Sequence, residues 1–273
     1  MKSWNSFLTE SQDKEVIRLY QEGFNSRQLA QQFGFKTKKS ILDILNKHHI
    51  NKREPKKSVN YNVDFFKQIN TKEKAYTLGL MITDGYLYRI NCGIAIQLCE
   101  RDKEILYTIK SFLGESTTII KINSSPKLKK INYKHKAQDQ YRLVAYSPQI
   151  AESLIKGFGF SKNKTYNIEY PQIDNSLKYH FLRGLWDGDG TICKDKRGYL
   201  RCRILSASKS FIDGLHSDLS KQRFGPRFNN TREYSALVLG KQEEIIRFIN
   251  AIYAESEHLR VEGKYEKISN FLH

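Results

Sequence analysis

Apolar residues near the N-terminus recur at helical spacing in three short stretches. Val16, Ile17, Leu19 and Tyr20 form one face of a helix that opens at Thr9, where Gln12 can complete a capping box and Gly23 stops the run. Ser26 is read as the cap of a second helix, SRQLAQQFG, with Leu29, Ala30 and Phe33 inward and Gly34 at its end. A third helix runs from about Lys36 and buries Ile41, Ile44 and Leu45. It leaves Lys36, Lys38, Lys39 and Ser40 outward. Short helices with a tight glycine-containing turn predict an all-α helix-turn-helix module over residues 1–50. The stretch NKREPKKSVN that follows is polar, basic and carries a proline, and residues 51–69 read as a basic linker.

From Asn70 the pattern switches between periods of 3.6 and 2, and then repeats itself. The first pass predicts a helix at 71–83, strands at 85–90 and 92–100, and a helix at 102–113. Strands at 117–123 and 140–147 follow, joined by the basic loop SSPKLKKINYKHK, and Pro148 opens a helix to residue 158. The second pass predicts a helix at 175–189, strands at 191–194 and 199–208, and a helix at 209–222. Strands at 226–231 and 234–239, a helix at 241–254 and a last helix at 264–272 complete it. Each pass reads αββαββα, the first over 70–160 and the second over 161–273. The expected class is α+β: two pseudo-symmetric repeats behind the all-α helix-turn-helix module.

One peptide recurs. TLGLMITDG spans 77–85, and LRGLWDGDG spans 182–190, 105 positions later. Gly184 and Gly188 share a helix face, and Gly79 and Thr83 match them in the first copy. Small residues at that spacing let two helix backbones approach closely. Such an approach would bring the helix ends, and with them Asp84 and Asp189, side by side. Two close carboxylates repel unless a cation or a proton lies between them. Their hard oxygens suit Mg²⁺ or Mn²⁺, which can activate water and stabilise a leaving oxygen. A plain helix-ending role accounts for one Asp-Gly pair, but not for two at matched positions.

Charge changes the picture of partners. Lys and Arg number 46 against 29 Asp and Glu, a formal net charge of +17. That excess points to nucleic acid. No apolar stretch is long enough to span a membrane. The opening MKSWNSFLTESQ lacks a signal core, so an intracellular protein of cytoplasm, nucleoid or organelle is expected. Cys92, Cys99, Cys193 and Cys202 form no C-x-x-C pair and are read as reduced thiols. In the strand at 199–208, Arg201 and Arg203 share one face and Leu200, Cys202 and Ile204 the other. Outward arginines can pair with guanine, and Arg142, Arg227 and Arg232 are placed to act similarly. Lys127, Lys129 and Lys130 in the basic loop are candidates for flanking DNA contacts.

The two nonapeptides resemble the LAGLIDADG motif, the second almost letter for letter after its opening Leu-Arg. The chain is similar to single-chain, two-motif LAGLIDADG homing endonucleases. The N-terminal run LYQEGFNSRQLAQQFGFKTKKSILDIL resembles the helix-turn-helix of resolvase-type and homeodomain-like proteins. The first resemblance implies saddle-shaped sheets lying in the DNA major groove. It implies a monomer cutting both strands of a long, asymmetric double-stranded target with Mg²⁺ or Mn²⁺. Asp84 and Asp189 would then be the metal-binding carboxylates, and Thr83 and Gly188 would lend main-chain carbonyls. Glu100 and Ser208 would take the place of an accessory polar residue, and Lys241 or Arg142 that of a basic helper. The sixth motif position departs from the commonly acidic pattern in the first copy, where it is Ile82; in the second it is Asp187. The same fold also occurs in catalytically inactive DNA-binding regulators and in intron maturases that bind RNA. Retention of both motif carboxylates favours catalysis.

Overall fold

The computed structural model describes residues 9–22, 24–51, 60–89, 91–123, 139–230 and 234–272. The chain divides into two units, residues 1–58 and 59–273.

The first unit has three helices among its described residues, α1 (Glu10–Gln21), α2 (Ser26–Gln32) and α3 (Lys39–Lys47). Thr9 and Gln12 form the anticipated capping box on α1. The cap of α2 is Asn25, whose Oδ1 accepts from Arg27 and Gln28; Ser26 is instead the first helical residue. The core is Val16, Leu19, Tyr20, Leu29, Ala30, Ile41 and Leu45. Asp13 is buried beneath it and accepts from Lys47 Nζ (2.9 Å) and lies 3.0 Å from His48 Nε2, tying α1 to the end of α3. Lys36, Lys38 and Lys39 are exposed at the start of α3.

In the second unit, α4 (Lys72–Thr83) leads into β1 (Gly85–Tyr88) and β2 (Gly93–Cys99). A 3₁₀ turn at Glu100–Asp102, α5 (Glu104–Leu113), β3 (Thr118–Ile122), β4 (Gln140–Ala145) and α6 (Pro148–Phe158) follow. A short helix, α7 (Lys164–Asn167), ends this repeat. The second repeat runs α8 (Lys178–Asp189), β5 (Gly190–Lys194), β6 (Leu200–Ser206), α9 (Lys209–Lys221), β7 (Arg227–Asn230), β8 (Ser235–Leu239), α10 (Gln242–Tyr253) and α11 (Glu262–Leu272). Each repeat builds one antiparallel four-stranded sheet, ordered β1-β2-β4-β3 and β5-β6-β8-β7. The architecture is therefore mixed α+β with two like sheets.

Alternation dictates which face of each sheet is covered. Ile94, Ile96 and Leu143 of the first sheet, and Cys202, Ile204, Leu237 and Leu239 of the second, enter one continuous core with the helices. The opposite faces carry Tyr86, Tyr88, Gln97 and Arg142, and Arg201, Arg203, Val238 and Arg227.

The linker expected over 51–69 ends earlier. Asn60 N donates to Ser116 Oγ (2.7 Å), the Tyr61 hydroxyl donates to Ser116 O (3.1 Å), and Phe65 and Phe66 are buried in the main core. Two aromatics hidden from water hold this segment on the first repeat; the basic run before them masks that signal in the sequence.

Candidate metal and nucleic-acid site

The two motif helices, α4 and α8, pack against each other along their lengths, and glycine makes this possible. A Cβ on Gly79 would run into the backbone of Phe181 and Leu185, and one on Gly184 into that of Tyr76 and Leu80. A Cβ on Gly188 would strike Thr83 and, at 2.7 Å, Asp84 Oδ2. All three expected interface glycines are thus in the contact. Asp187, the sixth residue of the second motif, is buried in the same seam. It accepts from the hydroxyls of Tyr76 (2.8 Å) and Tyr253 (2.6 Å) and from Val261 N (2.7 Å). Burial pushes its pKa up to about 6, against the lowering effect of these bonds. Asp187 therefore ties α8 to α4 and to the chain beyond α10.

Asp84 and Asp189 follow from this packing, one at the end of each helix. Asp84 is partly buried and receives one long hydrogen bond, from Thr83 Oγ1 at 3.4 Å. Among the described residues no donor reaches the Asp189 carboxylate. Loss of water and then the charge of Asp189 push the pKa of Asp84 up to about 6. Asp189 has an edge open to solvent, but crowding by protein raises its pKa too, while Lys164 and Lys264 pull it down. The donor set is hard oxygen and the pair is under-neutralised, so these residues fit a divalent cation. No cluster of three or more His, Cys, Asp or Glu occurs among the described residues, so the two carboxylates would hold it with main-chain or solvent oxygen.

Two lysines that sequence reasoning missed complete the site. Lys164 Nζ, on α7, donates to the carbonyls of Met81 (2.9 Å), Ile82 (2.6 Å), Thr83 (3.3 Å) and Gly85 (2.6 Å). Lys264 Nζ, on α11, donates to Gly188 O (3.3 Å) and Gly190 O (2.5 Å). Each ammonium sits on the carbonyl-rich end of a motif helix, where a cation is favoured. Burial lowers the pKa of Lys164 to about 8, opposed by Asp189 and Asp84. Burial likewise lowers that of Lys264. Lys164 lies 80 residues after Asp84, and Lys264 75 after Asp189. The only sequence signal was a lysine one or two residues before a tyrosine in each tail, KTY and KY. Beside Asp189, Thr83, Lys164, Leu205, Ser206 and Tyr234 help line a cleft of about 250 Å³.

Other expected residues lie elsewhere. Gly85 pairs with Ile96, so the β2 residue at the level of Asp84 is Gln97, not Glu100. Glu100 sits in the 3₁₀ turn three residues past Gln97, beyond the C-terminal end of β2, beside Lys121 Nζ (3.4 Å) and the Tyr141 hydroxyl (3.4 Å). Ser208 is the buried cap of α9. Lys241 is exposed and paired with Glu244 (3.1 Å). It follows the end of β8 remote from Asp189, because Gly190 pairs with Ile204 and Ile204 with Leu237. Arg142 faces Gln97 across the β2–β4 ladder and donates to its Oε1 (2.8 Å). Lys127, Lys129, Lys130 and Arg232 lie outside the described residues. None of the four cysteines is in a disulfide. No helix among the described residues is long and apolar enough to cross a membrane.

Fold and site define a duplicated α+β protein whose repeats meet through two helices, each ending in Asp-Gly. Residues 176–252, which make up most of the second repeat, match the family described as the LAGLIDADG-like domain. No curated protein sequence matches the chain. Several solved structures resemble it. The N-terminal LAGLIDADG domain of DUF199/WhiA is 17% identical over 70% of this chain and 89% of that one, with a TM-score of 0.46. Full-length DUF199/WhiA from Thermatoga maritima is 15% identical, over 79% of this chain and 66% of that one, with a TM-score of 0.48. The homing endonuclease I-DmoI, in mesophilic variants, is 14% identical over 71% of this chain and 97% of that one, with a TM-score of 0.44.

Proposed function

We propose that the protein is a site-specific double-strand DNA endonuclease that works with a divalent cation, Mg²⁺ or Mn²⁺, held by Asp84 and Asp189. The observation that carries this reading is the under-neutralised pair of carboxylates at the ends of the α4–α8 seam. A purely structural pair would not be left with so few donors. The +17 charge supplies the attraction for a polyanion.

The cation, when bound, supplies Lewis-acid charge beside a scissile phosphate. The chain's own residues do the rest. Gly79, Gly184 and Gly188 hold the helix ends together and so set the spacing of the two carboxylates. Lys164 and Lys264 lock the last turn of each helix and place positive charge beside a phosphate that gains negative charge as it reacts. Lys164 Nζ, with its pKa lowered to about 8, also gives up a proton more readily than an exposed lysine. The exposed Lys36, Lys38 and Lys39 make the first unit a second, helix-turn-helix contact with DNA.

A second reading has one observation in its favour. The Thr83 and Gly188 carbonyls already accept from Lys164 and Lys264, and these ammoniums offset the paired charge without metal. A DNA-binding regulator that does not cut would be built in this way. The deciding experiment incubates the protein with a plasmid library of randomised targets, with Mg²⁺, with Mn²⁺ and with chelator, and sequences any cut ends. Metal-dependent ends that vanish in Asp84→Asn and Asp189→Asn support the nuclease. Retained, sequence-selective binding without ends in either metal supports the regulator.

A further inference from the structure

The repeats are symmetric in backbone, but their uncovered sheet faces differ in chemistry. On the second sheet, Thr191, Arg203, Val238 and Arg227 form one row across β5, β6, β8 and β7. Arg201, one row away, is already engaged: it bonds Asp195 (2.8 Å) and the Gly240 carbonyl (2.8 Å) and so braces the β5–β6 turn. Among the described residues no acidic side chain pairs with Arg203, and its one side-chain hydrogen bond is long, to Cys193 Sγ at 3.7 Å. Arg227 is exposed, and no ion-pair partner reaches it among the described residues. Two uncommitted guanidiniums therefore stand on one face. They are two strand spacings apart, about 10 Å or roughly three base-pair steps.

The first sheet reverses this. Arg142 is spent on Gln97 (2.8 Å) and lies 5.9 Å from the Tyr88 ring centre. Arg89, just past β1, lies 5.5 Å from the rings of both Tyr88 and Tyr146. The free surface in between is aromatic and aliphatic. Tyr86 and Tyr88 lie on β1, and Ile120 on β3 is 44% exposed.

Guanine offers two major-groove acceptors, N7 and O6, that fit a free guanidinium fork, whereas thymine offers a methyl group that fits an apolar contact. We infer that the protein reads an asymmetric duplex in which the half under the second repeat carries two guanines, bound by Arg203 and Arg227. The half under the first repeat is thymine-rich and is read through Ile120 and the β1 tyrosines. This inference rests on the reading that the uncovered sheet faces meet double-stranded DNA. It adds which bases each face selects and which arginines do not select.

The test is a binding selection with the full-length protein on a randomised 30-bp duplex library, in chelator so that nothing is cut. Wild-type protein should enrich guanine at two positions in one half only. Arg203→Ala should lose one of these positions and Arg227→Ala the other, each preference falling from roughly tenfold to none. Arg201→Ala should leave both. Replacing thymine by uracil in the other half should weaken binding, and Ile120→Ala should remove that difference. Arg227 is exposed on an edge strand, so its variant keeps the test open even if Arg203→Ala unfolds. A fall in affinity that is equal for all sequences would mean phosphate contacts, and would overturn the assignment while leaving DNA binding intact. Guanine enrichment that survives both single variants would overturn it as well. Failure to bind any duplex would overturn the functional reading with it.

Discussion

Removing one of the paired charges should stabilise the protein. In Asp84→Asn the shape is kept and the repulsion with Asp189 is lost. The pKa of Asp84 stands at about 6 in the folded protein against an ordinary 3.8. That rise of about two pH units is worth about 3 kcal/mol of destabilisation once the group is charged. The carboxylate still touches solvent, so half of this, about 1.5 kcal/mol, is the working figure. A unit of this size gains about 2–4 °C in Tm per kcal/mol, so a rise of about 3–6 °C is expected at pH 8. The sign follows from the direction of the shift. Between about pH 4 and 6 the folded state holds a proton that the unfolded state has lost, so wild-type stability from this group falls as pH rises through that window. The variant's advantage should be absent at pH 4, grow to about pH 6 and stay constant above it. Thermal melts by circular dichroism in chelator, from pH 4 to 8, measure this. Millimolar Mg²⁺ should then raise the wild-type Tm and leave the variant unmoved, because ligand stabilises only the state that binds it. A variant less stable than wild type at pH 8, or a difference that ignores pH, would refute the account of a strained acidic pair.

Other consequences are as direct. Gly184→Ala should cost about 3 kcal/mol and most of the cleavage activity, because its methyl meets the backbone of Tyr76 and Leu80; an unchanged melt would show that the helices are not so close. Lys164→Met should lower both stability, by about 3 kcal/mol, and cleavage, because buried carbonyls lose a charged donor. Lys241→Ala should change neither by more than about 0.5 kcal/mol, its side chain being exposed; equal effects of the two variants would reverse their roles. Deleting residues 1–58 should weaken DNA binding and flatten its salt dependence without removing cleavage at high protein concentration. Equal slopes for the full-length and truncated proteins in a salt titration would show that the first unit does not contact DNA.

Much of this was legible in the sequence, for local reasons. Period and caps located most helices and strands, because amphipathic spacing and capping act within a few residues. The helix over 148–158 was expected to the residue, since Ser-Pro opens it and Gly159, at φ 68°, closes it. The repeated Asp-Gly ends and the small residues at 79, 184 and 188 pointed to the seam, since close helix approach leaves its mark in residue size. The tertiary structure alone decided which polar residues reach that seam. A lysine 80 residues from Asp84 carries no local signature of contact; only the path of α7 brings Lys164 onto the end of α4. Strand-end counting put Glu100 level with the carboxylates, but the ladder register that pairs Gly85 with Ile96 makes Gln97 the β2 residue level with Asp84. The same holds for the arginines: alternation showed which face they share, and only their neighbours showed that Arg201 is bound to Asp195 and Gly240 while Arg203 and Arg227 have no acidic partner among the described residues. Period and composition act along the chain, whereas register and long-range contact are set by packing between distant segments, and there the sequence alone falls silent.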